Sequence, residues 1–210
     1  MRLTKYAHAC VTFTDGDRTL LVDPGTFTPN AAELIAEADA ILVTHEHFDH
    51  FDEAALRAEL ANRPDLTVYT TAEVAAKLGG QAVAVAAGDR VTAAGFDVTV
   101  HGEHHALIHA DIPRASNVGF LVEDRVFHPG DSYVVPEAAV ETLLVPTSGP
   151  WTKFGEAADF VRAVRPGRTI QIHELMLSEL GRNSAAMFLG EEGLTGVALE
   201  ELAWGASTEL

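Results

Sequence analysis

The segment Thr44-His45-Glu46-His47-Phe48-Asp49-His50 puts three imidazoles and an aspartate within six residues, directly behind the apolar run Ala40-Ile41-Leu42-Val43. If that run is a strand and stays extended through position 47, side-chain alternation turns His45 and His47 to the same side, where two imidazoles can share one cation. Asp49 and His50 fall where the chain must turn. They point elsewhere and can hold a second ion. Imidazole with carboxylate suits zinc, manganese, iron or nickel, so ligand type does not choose among them. The spacing is not that of a His-Glu-x-x-His protease helix, which would need a histidine where Asp49 stands. The chain has 10 histidines, and they are grouped: three lie within 45–50 and four within 101–109.

Such a cluster needs rigid elements behind it. Val11–Thr14 and Thr19–Val22 read as strands around the turn Asp15-Gly16-Asp17, and the second ends at Asp23-Pro24-Gly25. Residues 30–38 read as helix and 40–43 as a short buried strand. Asp52 is a suitable N-cap for a helix over 53–62, which stops before Pro64. Leu66–Thr70 alternates as a strand, and Thr71 caps a helix that ends at Gly79-Gly80. Strands are expected at 81–86, 89–93, 96–101, 117–122 and 125–128, with turns at Gly95 and Glu123-Asp124. Beyond them lie a strand at 143–145, a helix at 154–164, a strand at 169–172 and an interrupted helix over 184–202. Strands with helices spread along the chain imply an α/β sandwich.

The length of 210 residues suits one domain with a sizeable core, and 47% apolar residues is an ordinary globular composition. No apolar run approaches the roughly 18–20 residues that span a membrane. The opening residues, Met1 to Tyr6, lack the apolar stretch of a signal peptide. A single cysteine, Cys10, excludes an internal disulfide framework, and together these features favour the cytoplasm. A net charge of −17 repels phosphate backbones and argues against nucleic acid as a partner.

His45-x-His47-x-Asp49-His50 resembles the metal signature of the metallo-β-lactamase superfamily. The likeness extends over nearly the whole chain. Leu21-Val22-Asp23-Pro24 is similar to the family's early strand with its structural aspartate. His128-Pro129-Gly130-Asp131 resembles the later Gly-Asp motif, whose aspartate bridges two metals. Thr169-Ile170-Gln171-Ile172-His173 is similar to the final strand that delivers the last histidine ligand. Asn117-x-Gly119 and the His-Pro-Gly-Asp piece most resemble the branch of ascorbate-6-phosphate lactonase-like hydrolases.

The resemblance implies a four-layer αββα sandwich, with residues 1–210 as a single hydrolase domain. It implies two divalent ions, zinc or manganese. One is held by His45, His47 and a histidine of Gly102-Glu103-His104-His105-Ala106, with His105 preferred and His104 the alternative. The other is held by Asp49, His50 and His173, with Asp131 bridging. Two such ions share a hydroxide of lowered pKa that attacks the substrate, and Asp49 can orient the attacking water. With two aspartates, one hydroxide and neutral imidazoles, the centre keeps a charge of about +1. A small anionic ester, lactone or phosphoester therefore fits an otherwise acidic protein.

Lys153 follows a strand end and can bind a substrate carboxylate or phosphate as part of the catalytic apparatus; the alternative is an ordinary solvated lysine. His8 and His128 each have two readings: lining the pocket or hydrogen-bonding a metal ligand, against plain burial. Asp23 is expected to tie loops beneath the site, Glu174 to be a polar neighbour, and Trp151, Phe48 and Tyr133 to wall the pocket or simply pack. The competing functions are a mononuclear iron-dependent dioxygenase on the same fold and a non-catalytic metal-binding protein. The oligomeric state is left open.

Overall fold

Apolar side chains on successive strand positions go to two different cores, and this builds the architecture. The computed structural model describes residues 1–210. Its first half runs β1 (Arg2–Lys5), β2 (Val11–Asp15), β3 (Arg18–Val22), α1 (Ala31–Glu37), β4 (Ala40–Val43), α2 (Glu53–Asn62), β5 (Thr67–Thr70), α3 (Ala72–Leu78) and β6 (Ala82–Ala84). The second half runs β7 (Arg90–Ala93), β8 (Phe96–His101), β9 (Gly119–Val122), β10 (Val126–His128), β11 (Thr142–Pro146), α4 (Phe154–Val164), β12 (Arg168–Ile172), α5 (Glu179–Leu189), β13 (Leu199–Glu200) and β14 (Ser207–Glu209). These form two seven-stranded mixed sheets, ordered β14-β1-β2-β3-β4-β5-β6 and β13-β12-β11-β10-β9-β8-β7.

Leu20, Val22 and Leu42 point into a core shared with Phe120, Val122, Leu144 and Ile170 of the other sheet. Their neighbours Leu21, Ile41 and Val43 face the opposite way, onto Leu34 and Ile35 of α1 and Leu56 and Leu60 of α2. In the second sheet Leu121, Leu143 and Val145 turn outward to Ala157, Phe160 and Val161 of α4. Period-two alternation with both faces apolar yields helix, sheet, sheet, helix, the expected αββα sandwich. Each such side chain, fully buried, contributes roughly 1.5–3 kcal/mol, so the strands that carry the site are held from both sides. No helix is long and apolar enough to cross a membrane.

The expected caps are present: Asp52 accepts from the Ala55 N–H, and Thr71 from that of Val74. Ala94-Gly95 and Glu123-Asp124 adopt positive φ, as tight hairpins require. The expected helix over 184–202 is corrected. Its helix is α5, opened by the Ser178 side chain accepting from the Gly181 N–H and closed at Gly190. The chain then turns back through Gly193 and Leu194, whose N–H groups reach Gly190 and Phe188 carbonyls, and enters β13. Two strands come as additions, β1 and β14, which pair antiparallel with Arg2 opposite Glu209.

The side-by-side parallel pairs β3–β4 and β10–β11–β12 end at one edge of the sandwich. The loops leaving β3, β4, β10 and β12 carry Asp23, His45 to His50, Asp131 and His173 respectively. The β8–β9 connection brings His105 to them.

Candidate metal centre

Four ligand atoms converge twice. His45, His47, His105 and Asp131 form one quartet; His8, Asp49, His50 and His173 form the other. Within each, the ligand atoms lie within 4.8 Å of one another. The quartets adjoin, since the His45 and His50 ring centroids are 4.2 Å apart. Asp131 belongs to both. Its Oδ1 lies 3.0 Å from His50 Nε2 and 3.1 Å from His173 Nε2, and its Oδ2 lies 3.2 Å from His105 Nε2.

The outer contacts decide which nitrogen each ring presents. The His45 Nδ1–H donates to Thr44 Oγ1, whose own hydroxyl donates to Asp23. The His50 Nδ1–H donates to Asp23 Oδ2 at 2.7 Å, and the His105 Nδ1–H to the Ala106 carbonyl at 2.6 Å. All three rings therefore turn an Nε2 lone pair inward, the tautomer that metal-bound histidines take when the other ring N–H is held by an acceptor. Asp23 also accepts from the Thr44 N–H, so this one buried carboxylate orients two rings.

Nε2 of His45, His50 and His173 and Oδ1 of Asp131 are buried without an aligned hydrogen bond, the last three meeting one another only as close charge partners. Orphaned buried polar atoms are rare because each forfeits its hydration. Several aimed at a common space fit a cation, and an N/O set without thiolate suits a divalent ion such as zinc or manganese. The titration of these groups agrees. Burial, with His50 next in effect, holds His45 well below the usual histidine range. Burial also pulls on His50 and His173, but Asp131 outweighs it, helped by Asp23 at His50 and by Asp49 at His173. His50 rises well above its ordinary value, and His173 to about 9. Burial alone would raise Asp49 and Asp131. The facing imidazoles, His173 and His8 for Asp49 and His50 and His173 for Asp131, hold both carboxyls well below the carboxylate range instead. Without an ion, protons on His50 and His173 balance the aspartates; an ion takes over that role.

The backbone here is tightly constrained. His8, Asp23 and His173 have φ of 60°, 51° and 57°, left-handed conformations that cost about 1–3 kcal/mol each in non-glycine residues. At Gly25 an added Cβ would sit 1.9 Å from the Asp49 carbonyl oxygen, so only glycine lets the His45–His50 loop pass. Gly25→Ala is expected to lower stability by at least the roughly 1–3 kcal/mol of an overpacked core and to reduce bound metal. Thermal unfolding and elemental analysis of that variant would check both; an unchanged melting temperature would contradict the fit.

A sequence family described as a beta-lactamase superfamily domain matches residues 2–173. The Mycobacterium tuberculosis protein Rv0786c is 39% identical over 183 residues, covering 85% of this chain and 86% of that one. A UPF0173 metal-dependent hydrolase of Aeropyrum pernix is 30% identical over 197 residues, covering 82% and 81%. The chain belongs to the metallo-β-lactamase superfamily. Within it, the chain falls in the UPF0173 metal-dependent hydrolase family. The fold likeness is equally broad: Igni18, a metallo hydrolase from Ignicoccus hospitalis, superposes with a TM-score of 0.73 at 17% identity, over 100% of this chain and 98% of that one.

In this superfamily member the expected metal residues His45, His47, Asp49, His50, His105, Asp131 and His173 all come together. His105 is 2% exposed and inside the cluster, whereas His104 is exposed and bridges Ser116. Lys153 lies apart: its side chain is 75% exposed and paired with Glu156. His128 uses both nitrogens structurally, donating to the Ala9 carbonyl and accepting from the Gly130 N–H. Trp151 does more than pack, because its indole N–H donates to Asp131 Oδ2 at 3.0 Å. Tyr133 packs against Trp151, while Phe48 is exposed against Phe27.

His8 takes the expected hydrogen-bonding role: its Nε2–H donates to Asp49 Oδ2 at 3.0 Å, and the ring belongs to the second quartet. Burial lowers its pKa to about 4 despite that bond, so its ring is neutral. Glu174 is not merely a polar neighbour: it pairs with buried Lys5 at 2.6 Å. Together with the His173 N–H bonded to the His8 carbonyl, this pair ties the two ligand-bearing loops to each other.

Proposed function

We propose that this chain binds two divalent ions, zinc or manganese, and hydrolyses a small anionic ester, lactone or phosphoester, as an ascorbate-6-phosphate lactonase-like hydrolase would. The observation that carries this reading is Asp131, whose two oxygens face different quartets. His45, His47 and His105 would hold one ion and Asp49, His50 and His173 the other, with Asp131 between them. When bound, such a pair of ions supplies an acidified water as nucleophile and a Lewis acid for the scissile group. A single-ion iron centre would leave one quartet without a role.

The protein's own groups set up the rest. Asp49, the more exposed of the two aspartates at 17%, can accept a hydrogen bond from the attacking water and orient it. His8, neutral and bonded to Asp49, fixes that carboxylate from behind. Trp151 fixes Asp131 in the same way and covers it with an apolar ring. Lys153 has one partner, Glu156, and is available to a substrate anion.

The reading treats residues 1–210 as one working unit, supported by the closure of β14 onto β1 within the first sheet. It places the protein in the cytoplasm, which suits a single cysteine that is free and buried. Nucleic acid is not a partner on this reading, given the charge of −17.

Elemental analysis of protein purified without added metal, followed by a screen of lactones, phosphodiesters and sugar phosphates with zinc and manganese, tests the proposal. Two ions per chain and metal-dependent turnover are expected. One iron per chain, with oxygen uptake and no hydrolysis, would establish the dioxygenase instead.

A further inference from the structure

We propose that Arg114 anchors the anionic group of the substrate and sets the preference for charged over neutral esters. This rests on the hydrolytic reading above, and adds to it a recognition residue that the metal signature does not contain.

Arg114 ends the loop that leaves His105. That loop is pinned at its base twice: the His105 N–H donates to the Ala115 carbonyl, and Arg114 Nε donates to the His105 carbonyl at 2.6 Å. One edge of the guanidinium is thereby fixed to the backbone of a metal-centre residue. Its terminal nitrogens have no hydrogen-bond or ion-pair partner in the protein. Arg114 lines two hollows. The smaller is lined by His47 and His105 themselves, with Ile108 and Ile112. The larger, about 470 Å³, is bounded by His104, Leu107, Ser132 and Tyr133. The smaller hollow has no carboxylate on its lining, and the larger has only Glu103, which does not pair with Arg114.

The charge balance of the chain gives this weight. Acidic residues number 31 against 14 lysines and arginines, and ten of those cations are paired with a carboxylate. The remaining four are Arg90, Arg114, Arg162 and Arg165. Arg90 lies on β7 and Arg162 and Arg165 at the end of α4, so Arg114 is the unpaired cation on the ligand-bearing loop. A guanidinium with one edge fixed and the other free offers two parallel N–H donors, the geometry that carboxylate and phosphate oxygens accept. An anion held in the larger hollow lies across Arg114 from the smaller one, of about 20 Å³, which His47 and His105 line.

The test compares Arg114→Met with the wild type, using Arg90→Met as control, on 4-nitrophenyl hemisuccinate (anionic) and 4-nitrophenyl propionate (neutral). Loss of a hydrogen bond to a charged group predicts a rise in KM for the anionic ester of about ten- to a hundredfold, with kcat and bound metal nearly unchanged. The neutral ester and the Arg90→Met variant should show no such change. Equal losses on both esters together with lost metal would make Arg114 a support for His105 and overturn the proposal. A second arm is independent of turnover: succinate is titrated into chelator-treated protein and followed by NMR. Weakening of about tenfold in Arg114→Met alone is expected; equal binding in all three proteins, or none in the wild type, overturns the proposal. Failure of the loaded wild type to cleave either ester, with the titration as expected, would count against ester hydrolysis and not against Arg114.

Discussion

Asp131→Asn is expected to reduce bound metal from two ions per chain to one and turnover by about a hundredfold or more, the scale of losing a strong electrostatic contribution. The substitution keeps the side chain's shape and removes its charge. An amide still offers one oxygen, but the other position becomes an N–H₂ donor facing either His50 and His173 or His45 and His105. It cannot face both quartets as an acceptor. The backbone position should hold, because the Asp131 N–H is bound to Asn117 Oδ1 and Asn117 Nδ2 to the Pro129 carbonyl, neither of which involves the carboxylate. The sheet cores contain no part of Asp131, so the fold should survive. Elemental analysis with circular dichroism as the folding control decides the matter. A folded variant with unchanged metal and near-normal turnover would show that Asp131 does not bridge.

The residues of this centre differ in how visible they are in the sequence, and the difference is one of distance along the chain. His45, His47, Asp49 and His50 are close enough for strand alternation and one turn to predict their grouping. Asp131 and His173 lie far downstream, and no local rule brings them to His45. Their motifs were readable only as a family likeness, and the parallel strands that end at one edge explain why the likeness works. His8 stands alone between β1 and β2, without periodicity or a partner nearby in sequence. Its role depends on a left-handed turn and on Asp49, 41 positions later. Lys153 illustrates the converse: its strand-end position singles it out in the sequence, whereas in the fold its exposed side chain pairs with Glu156 and would have to leave that partner to meet a substrate anion.

The fold shows the same division. β3, β4, β9 and β11 were plain because their residues are apolar on both faces. β1 was hidden by Lys5, which occupies an inward position where an apolar residue is expected. The lysine is tolerated because Glu174 meets its ammonium, a partner that only the folded chain supplies. β14 is a three-residue edge strand whose only strand partner is β1, so both escaped together. α5 was displaced because Ser178 is a cap only if the chain turns there, and the apolar residues beyond Gly190 extend the helical pattern into a segment that the glycines break.

Removing the metal should abolish hydrolysis and also reverse how stability responds to pH. An ion at a thousandfold excess over its Kd stabilises the folded chain by about 4 kcal/mol, so chelation should lower Tm markedly. In the stripped protein His50 and His173 carry the compensating protons, and both titrate above their ordinary value of 6.5, His173 at about 9. A raised folded pKa means that the folded state binds the proton more tightly than the unfolded chain. Its stabilisation is complete below about pH 6.5 and is lost as pH rises through about 9, on the order of 3 kcal/mol for His173. With metal bound the same imidazoles are neutral ligands, and protons compete with the ion, so affinity strengthens over that window. The stripped protein should therefore lose stability between about pH 6.5 and 9 while the loaded protein holds or gains it. Denaturant unfolding of both forms across that range measures the two trends. Parallel curves would mean that His50 and His173 do not exchange protons for metal.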